Sequence, residues 1–187
     1  MLETIREFAR ERLATTGEES DLRRRHAVSA LEFVEAVYGD VDGGGDQVAG
    51  LAQIEGEDDN LRAALEWARE SHEDEVLLRL VAVLPFFWVR RGYYGEADSW
   101  LPLALERGSS PATARMQVLR SASMRAATTR DYDRSDVYVA EWRSLAELTG
   151  NEGELLRAMN SAALNASEQG DLDKARAELV AISERAR

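Results

Sequence analysis

Cysteine is absent from the 187-residue chain, and proline occurs only 3 times. Without cysteine there is no disulfide framework, no thiol nucleophile and no thiolate ligand for zinc. Runs of β-branched residues are almost absent, which argues against a sheet. The most apolar run, residues 81–89, is too short for a bilayer span, which takes about 20 residues. Charges within residues 3–7 interrupt what would be the apolar core of a signal peptide, so we expect a cytoplasmic location.

Basic residues are outnumbered by acidic ones, 23 Lys and Arg against 35 Asp and Glu, which gives a formal net charge of -12. A surface this acidic repels phosphate backbones and anionic membranes, so we expect no direct nucleic-acid binding and no membrane association. The densest basic run is residues 23–26, closely preceded by Glu18, Glu19 and Asp21. We interpret it as a solvated helix face.

The residues that are abundant, alanine, leucine, glutamate and arginine, are strong helix formers. Apolar residues at helical spacing predict an amphipathic helix over residues 2–13 and a second helix over about residues 18–37. Residues 39–46 contain three consecutive glycines and predict a linker. We therefore place an N-terminal helical segment at 1–45 and a helical-repeat domain at 46–187.

The most informative pattern is an internal repeat. Residues 91–97, 130–135 and 170–175 align as inter-helix turns that each lead to a small residue, at Ala97, Ser135 and Ala175. The offsets are 38 from position 97 to 135 and 40 from position 135 to 175. Four residues further on stand the apolar Leu101, Val139 and Leu179. A small residue where two helix backbones approach, followed by an apolar side chain one turn later, is typical of stacked antiparallel hairpins.

Residues 164–175 resemble a tetratricopeptide repeat, with its tight turn and its small residue early in the second helix. The period of 38 to 40 is longer than the usual length of about 34, and Met159 stands where that family has a tryptophan. The resemblance implies an all-α fold, a right-handed superhelical solenoid of antiparallel helical hairpins.

A wider resemblance covers residues 2–9, 22–27, 60–68, 87–92 and 100–105. In order and spacing these segments are similar to bacterial ATPase-coupled transcriptional regulators of the LuxR and AfsR type. The resemblance implies that residues 2–13 are the last helix of a winged-helix segment and that an NTPase domain lies upstream. It also implies that the repeats are a sensor, and that the chain is a fragment of a larger switch.

In tetratricopeptide folds the first helix of each hairpin lines an inner groove, and this register implies the ligand-facing positions. They are Arg79, Phe86 and Arg90, then Gln117, Arg120 and Met124, then Arg157, Asn160 and Leu164. The arginines would favour a protein or small-molecule effector with a local acidic group. The alternative is that they pair with neighbouring glutamates. A second alternative is an aromatic pocket formed by Phe86, Phe87, Trp88, Tyr93, Tyr94 and Trp100.

No residue cluster in the sequence predicts catalysis or a cofactor. His26 and His72 are 46 positions apart, and no third metal ligand accompanies them. Residues 58–60 lack the remaining ligands of a calcium loop, so we interpret them as helix-capping residues. We therefore expect that the chain is not an enzyme. The hypotheses are a non-catalytic sensor and protein-interaction module of a bacterial transcriptional regulator that relays effector binding to an upstream NTPase, or a free-standing tetratricopeptide adaptor for a peptide or protein.

Our first prediction is that this chain neither binds nor hydrolyses ATP. The glycines at 43–45 are not followed by the lysine and hydroxyl of a phosphate-binding loop. Calorimetric titration with ATP and Mg²⁺ should give no heat of binding, and phosphate release should stay at the buffer rate. A micromolar affinity for the nucleotide would contradict this prediction.

Overall fold

A computed structural model describes residues 19–42 and 44–185, with the side chain of Asp42 left out. Within those ranges the regular structure consists of ten α-helices and no strand, so the predicted all-α class is confirmed. The helices are α1 (Glu19–Asp42), α2 (Gln47–Gly56), α3 (Asp58–Glu70), α4 (Asp74–Val83), α5 (Pro85–Arg91), α6 (Tyr94–Arg107), α7 (Ala112–Thr128), α8 (Tyr132–Thr149), α9 (Glu152–Glu168) and α10 (Leu172–Arg185). The helix predicted over residues 2–13 lies outside the described residues.

The chain divides into two compact units, residues 1–80 and 81–187, and the division falls within α4. The glycine-rich segment where the sequence places a boundary connects α1 to α2 inside the first unit. Helix α1 extends to Asp42, about one turn past its predicted end, because Val37 and Val41 are both buried. The division into 1–45 and 46–187 stays a prediction.

In the first unit, α1 packs against α2 and α3. Gly50 lies where α2 crosses α1, and a Cβ at this position would stand 2.5 Å from Val41 Cγ2. The apolar face of α3 is buried, as shown by Leu61, Ala64, Leu65 and Ala68. Asp58 and Asp59 occupy the first turn of α3, where the helix dipole favours carboxylates, whereas the N-cap is Glu57 and its side chain makes no cap hydrogen bond.

In the second unit, helices that follow one another along the chain pack side by side, and α7 also contacts α9. The repeat register is visible in the turns: Gly92, Arg130 and Gly170 all have left-handed backbone, with φ of 76°, 61° and 82°. These positions are separated by 38 and 40 residues, the offsets read from the sequence. The small residues Ala97, Ser135 and Ala175 are buried as expected.

The three prolines occupy different positions in the helices. Pro85 is the first residue of α5 and separates it from α4. Pro102 lies inside α6, which remains one helix. Pro111 has extended backbone and is the N-cap of α7. The right-handed superhelix and the tetratricopeptide assignment stay predictions.

Our second prediction concerns Ala175, a buried residue of α10, the helix that packs against α9. Ala175→Trp should overpack this contact and lower the free energy of unfolding by about 1–3 kcal/mol. Thermal melting followed by circular dichroism should show a lower midpoint.

Ala177→Trp is the matched control, because Ala177 is exposed on the same helix. Equal midpoints for the two variants would mean that the repeat register is wrong.

Candidate partner-binding face

Six of the predicted groove positions lie on two helices that contact each other. Helix α7 carries Gln117, Arg120 and Met124, and α9 carries Arg157, Asn160 and Leu164. We call these six residues the α7–α9 face. Their spacings of three, four and seven residues place the members from each helix along one side of that helix.

The centre of the charged half of this face is the carboxylate of Glu154, in the first turn of α9. Arg157 donates from Nη1 to Oε1 at 2.7 Å, and Arg120 Nη1 lies 3.8 Å from the same oxygen. Trp142 donates from Nε1 to the other oxygen, Oε2, at 2.8 Å. One carboxylate therefore joins α7, α8 and α9.

Exposure differs sharply within this group. The side chain of Glu154 is only 12% exposed, whereas that of Arg157 is 61% exposed. Asn151 caps α9 by accepting from the backbone N–H of Glu154 at 3.1 Å, and the position of Glu154 in the first turn favours its negative charge. The result is a buried anion that holds a guanidinium at the protein surface.

The other half of the face is apolar. Met124 is 62% exposed and Leu164 is 59% exposed. Between their helices lies the hydroxyl of Ser135, which donates to the backbone oxygen of Ser123 at 3.0 Å and accepts from Asn165 Nδ2 at 2.8 Å. This buried bridge ties α7 to α9 next to the two apolar side chains.

The remaining predicted positions are not part of this face. Arg79 belongs to the first unit and donates two hydrogen bonds to Glu35, at 2.9 and 2.7 Å. Those bonds raise the pKa of Arg79. Arg90 lies over the ring of Phe86, 5.4 Å from its centroid, and both belong to α5. Arg79, Arg120 and Arg157 thus have the carboxylate partners that the alternative hypothesis expects, and a role for them in ligand binding stays a prediction.

A second polar cluster lines a cleft of about 130 Å³ between α6, α7 and α8. Arg125 donates to both carboxylate oxygens of Asp98, at 2.6 and 2.8 Å, and lies 5.0 Å from the ring centroid of Tyr94. These hydrogen bonds lower the pKa of Asp98 and raise that of Arg125. The sequence does not predict this pair, because 27 residues separate its members and no motif links them.

The aromatic cluster is largely part of the interior. Phe87, Trp88 and Trp100 are buried, and Phe87 meets Tyr93 edge to face at 5.6 Å between ring centroids. The indole of Trp100 donates to Glu96 at 3.0 Å. This arrangement favours packing over an aromatic ligand pocket.

Arg23 of the basic run and His26 make ordinary surface contacts. Arg23 pairs with Glu19 at 2.7 Å, and His26 Nε2 lies 3.2 Å from Asn60 Oδ1. Across the described part of the chain, no three histidine or carboxylate side chains are grouped closely enough to hold a metal ion. No helix in that part is long and apolar enough to cross a bilayer.

Comparison with known proteins shows a weak similarity to a group of transcriptional regulators. Proteins named as candidate HTH-type transcriptional regulators, one from Mycobacterium bovis and others from two strains of Mycobacterium tuberculosis, are 34% identical over 106 residues. The match covers 57% of this chain and 12% of each relative, so the chain spans only a small part of their length. The relatives are compatible with a regulatory role.

No protein-family model matches the chain. No solved structure matches it significantly. The sequence relationship to these regulators therefore stands without support from a structural relative.

Our third prediction concerns the central carboxylate. Glu154→Ala removes the acceptor of the Trp142 indole and the counter-ion of two arginines, so the free energy of unfolding should fall by about 1–3 kcal/mol. Urea denaturation measures this loss. Glu154→Gln keeps an acceptor and should lose less.

Glu147→Ala is the control, because Glu147 is an exposed carboxylate on α8 that pairs with Arg143 only one turn away, at 3.6 Å. We expect it to change stability by no more than about 0.5 kcal/mol. Equal effects of Glu154→Ala and Glu147→Ala would contradict a central role for Glu154.

Proposed function

We propose that this chain is a non-catalytic sensor and protein-interaction module of a bacterial transcriptional regulator. Two independent features support the proposal. The relatives carry names of HTH-type transcriptional regulators, and the α7–α9 face combines surface arginine with exposed apolar side chains.

The observation that carries the binding role is the exposed guanidinium of Arg157 beside the apolar half of the face. A guanidinium has five N–H donors, and the hydrogen bond from Arg157 to Glu154 uses one of them. An acidic group of a ligand can therefore bind while Glu154 still holds Arg157 in place. A charge-assisted hydrogen bond of this kind contributes about 1.5–3 kcal/mol.

The apolar half supplies the rest of the recognition surface. From Arg120 to Met124 is one turn of α7, about 6 Å of rise, and from Arg157 to Leu164 is two turns of α9, about 10 Å. The ligand that fits is a protein segment or small molecule whose acidic group lies about 6 to 10 Å from an apolar group. No cofactor takes part in this proposal.

The regulatory step in this proposal is a relay from the bound effector to an NTPase domain upstream of the chain in the parent regulator. Resemblance to ATPase-coupled regulators of the LuxR and AfsR type supports this step. The segment would act in the cytoplasm and would leave DNA contact to another part of the regulator, because its net charge of -12 opposes binding to a phosphate backbone.

The alternative is a free-standing tetratricopeptide adaptor that binds a peptide or protein with the same face. The presence of an in-frame NTPase domain directly upstream in the gene distinguishes the two. In the sensor, ligand binding changes the rate of ATP hydrolysis by the parent protein. In the adaptor there is no such activity to change.

Our fourth prediction is that the face binds a free carboxylate. Short peptides ending in an apolar residue and a free C-terminal carboxylate should bind more tightly than the same peptides with a C-terminal amide. The indole N–H resonance of Trp142 reports binding, because Trp142 shares Glu154 with both arginines. Arg120→Ala combined with Arg157→Ala should weaken binding at least about tenfold, or about 1.4 kcal/mol.

Arg62→Ala combined with Arg69→Ala removes the same charge from α3 and should leave peptide affinity unchanged. If the Arg120 and Arg157 double variant unfolds and ligand affinity does not depend on either residue, these arginines are only intramolecular ion-pair partners. The binding proposal would then be wrong, and the aromatic cluster around Trp88 and Trp100 would be the next candidate.

A further inference from the structure

The first unit contains a larger cleft that the proposed function does not use. It has a volume of about 530 Å³ and lies between the first turns of α1 and the second half of α3. The two helices are antiparallel here, because His26 meets Asn60 while residues nearer the start of α1 face residues nearer the end of α3. A volume in this range is typical of sites that bind small organic molecules, which span about 300–1,000 Å³.

The walls of this α1–α3 cleft are apolar. Leu22 of α1 and Ala63 of α3 are exposed, and Trp67 lines the cleft although it is only 8% exposed. Exposed leucine in a cleft offers an apolar ligand a contact that water does not satisfy.

The charged residues around these walls are mainly carboxylates. Among the described residues, Glu19, Glu66 and Glu70 line the cleft together with Arg23 and His26. Arg23 pairs with Glu19 at 2.7 Å, and Arg69, from outside the cleft, pairs with Glu66 at 2.5 Å. Glu70 makes no ion pair with any residue that the structure describes. Within the described part of the chain, the cleft therefore has one carboxylate without a cationic partner.

We propose that the α1–α3 cleft is a binding site for a lipophilic organic cation, an aromatic or aliphatic group that carries an amine or a quaternary ammonium. Its apolar part packs on Leu22, Ala63 and Trp67, and its charge lies next to Glu70. Anionic ligands are disfavoured by the same carboxylates. This site belongs to the first unit and the α7–α9 face belongs to the second. The cation proposed here is opposite in charge to the acidic ligand proposed for that face.

The test uses the full chain and two dyes with the same xanthene ring system. Tetramethylrhodamine ethyl ester is a lipophilic cation, and fluorescein is an anion. At physiological ionic strength the cationic dye should bind with micromolar affinity in a fluorescence anisotropy titration, and fluorescein should not bind. The indole N–H resonance of Trp67 should shift on binding, which localises the dye to the cleft.

Two variants probe the two halves of the site. Glu70→Gln should weaken binding of the cationic dye about tenfold, and Leu22→Ser should weaken it about threefold. Both positions are exposed, so neither variant should affect folding, and circular dichroism checks this. Glu147→Gln removes the same charge from an exposed position on α8 and should leave the affinity unchanged.

Several results would overturn the proposal. Equal binding of both dyes would indicate a merely apolar surface, and equal weakening by Glu70→Gln and Glu147→Gln would indicate attraction to the net negative charge. Absence of binding by the wild-type chain would also overturn it.

Discussion

Close approach of consecutive antiparallel helices is the constraint on which the second unit depends. Each hairpin turn needs one residue with left-handed backbone, and each following helix needs a small residue where it meets its predecessor. Gly92 and Gly170 meet the first requirement without strain, whereas Arg130 adopts the same conformation with a side chain. Ala97, Ser135 and Ala175 meet the second. The helix contacts that place α7 beside α9 follow from these turns.

The same packing explains why charged residues can meet inside this unit. Trp142, Glu154 and Arg120 come from three different helices, and the buried layer around Met116, Leu119 and Met159 holds those helices together. A carboxylate that is removed from water needs partners for its charge and for both oxygens. Glu154 has these partners in Arg157 and Trp142, and its hydrogen bond with Arg157 holds that guanidinium at the surface. Stability and a binding role are therefore not exclusive interpretations of these arginines.

The two units differ in the surfaces that they offer. The α7–α9 face presents arginine and exposed apolar residues, while the α1–α3 cleft presents carboxylates around leucine and tryptophan. In a protein whose net charge is -12, the acidic cleft follows the average of the surface and the arginine-bearing face departs from it. Electrostatic complementarity would direct ligands of opposite charge to the two surfaces.

The sequence by itself determined the features that depend on neighbouring residues. Helix-forming composition and the offsets of 38 and 40 between turns are local, and the structure has them where the sequence places them. Local sequence does not predict helix α2 or the division between α4 and α5 at Pro85, because the cost of interrupting a helix depends on what packs against it.

Only the tertiary structure decided which charges meet. Glu154 with Arg120 and Asp98 with Arg125 are separated by 34 and 27 residues. No local rule pairs residues so far apart. An ion pair between helices depends on their separation and rotation, which the packing of the whole unit determines. The sequence could therefore suggest Arg120 and Arg157 as groove positions. The carboxylate that they share becomes evident only when α7, α8 and α9 have packed together.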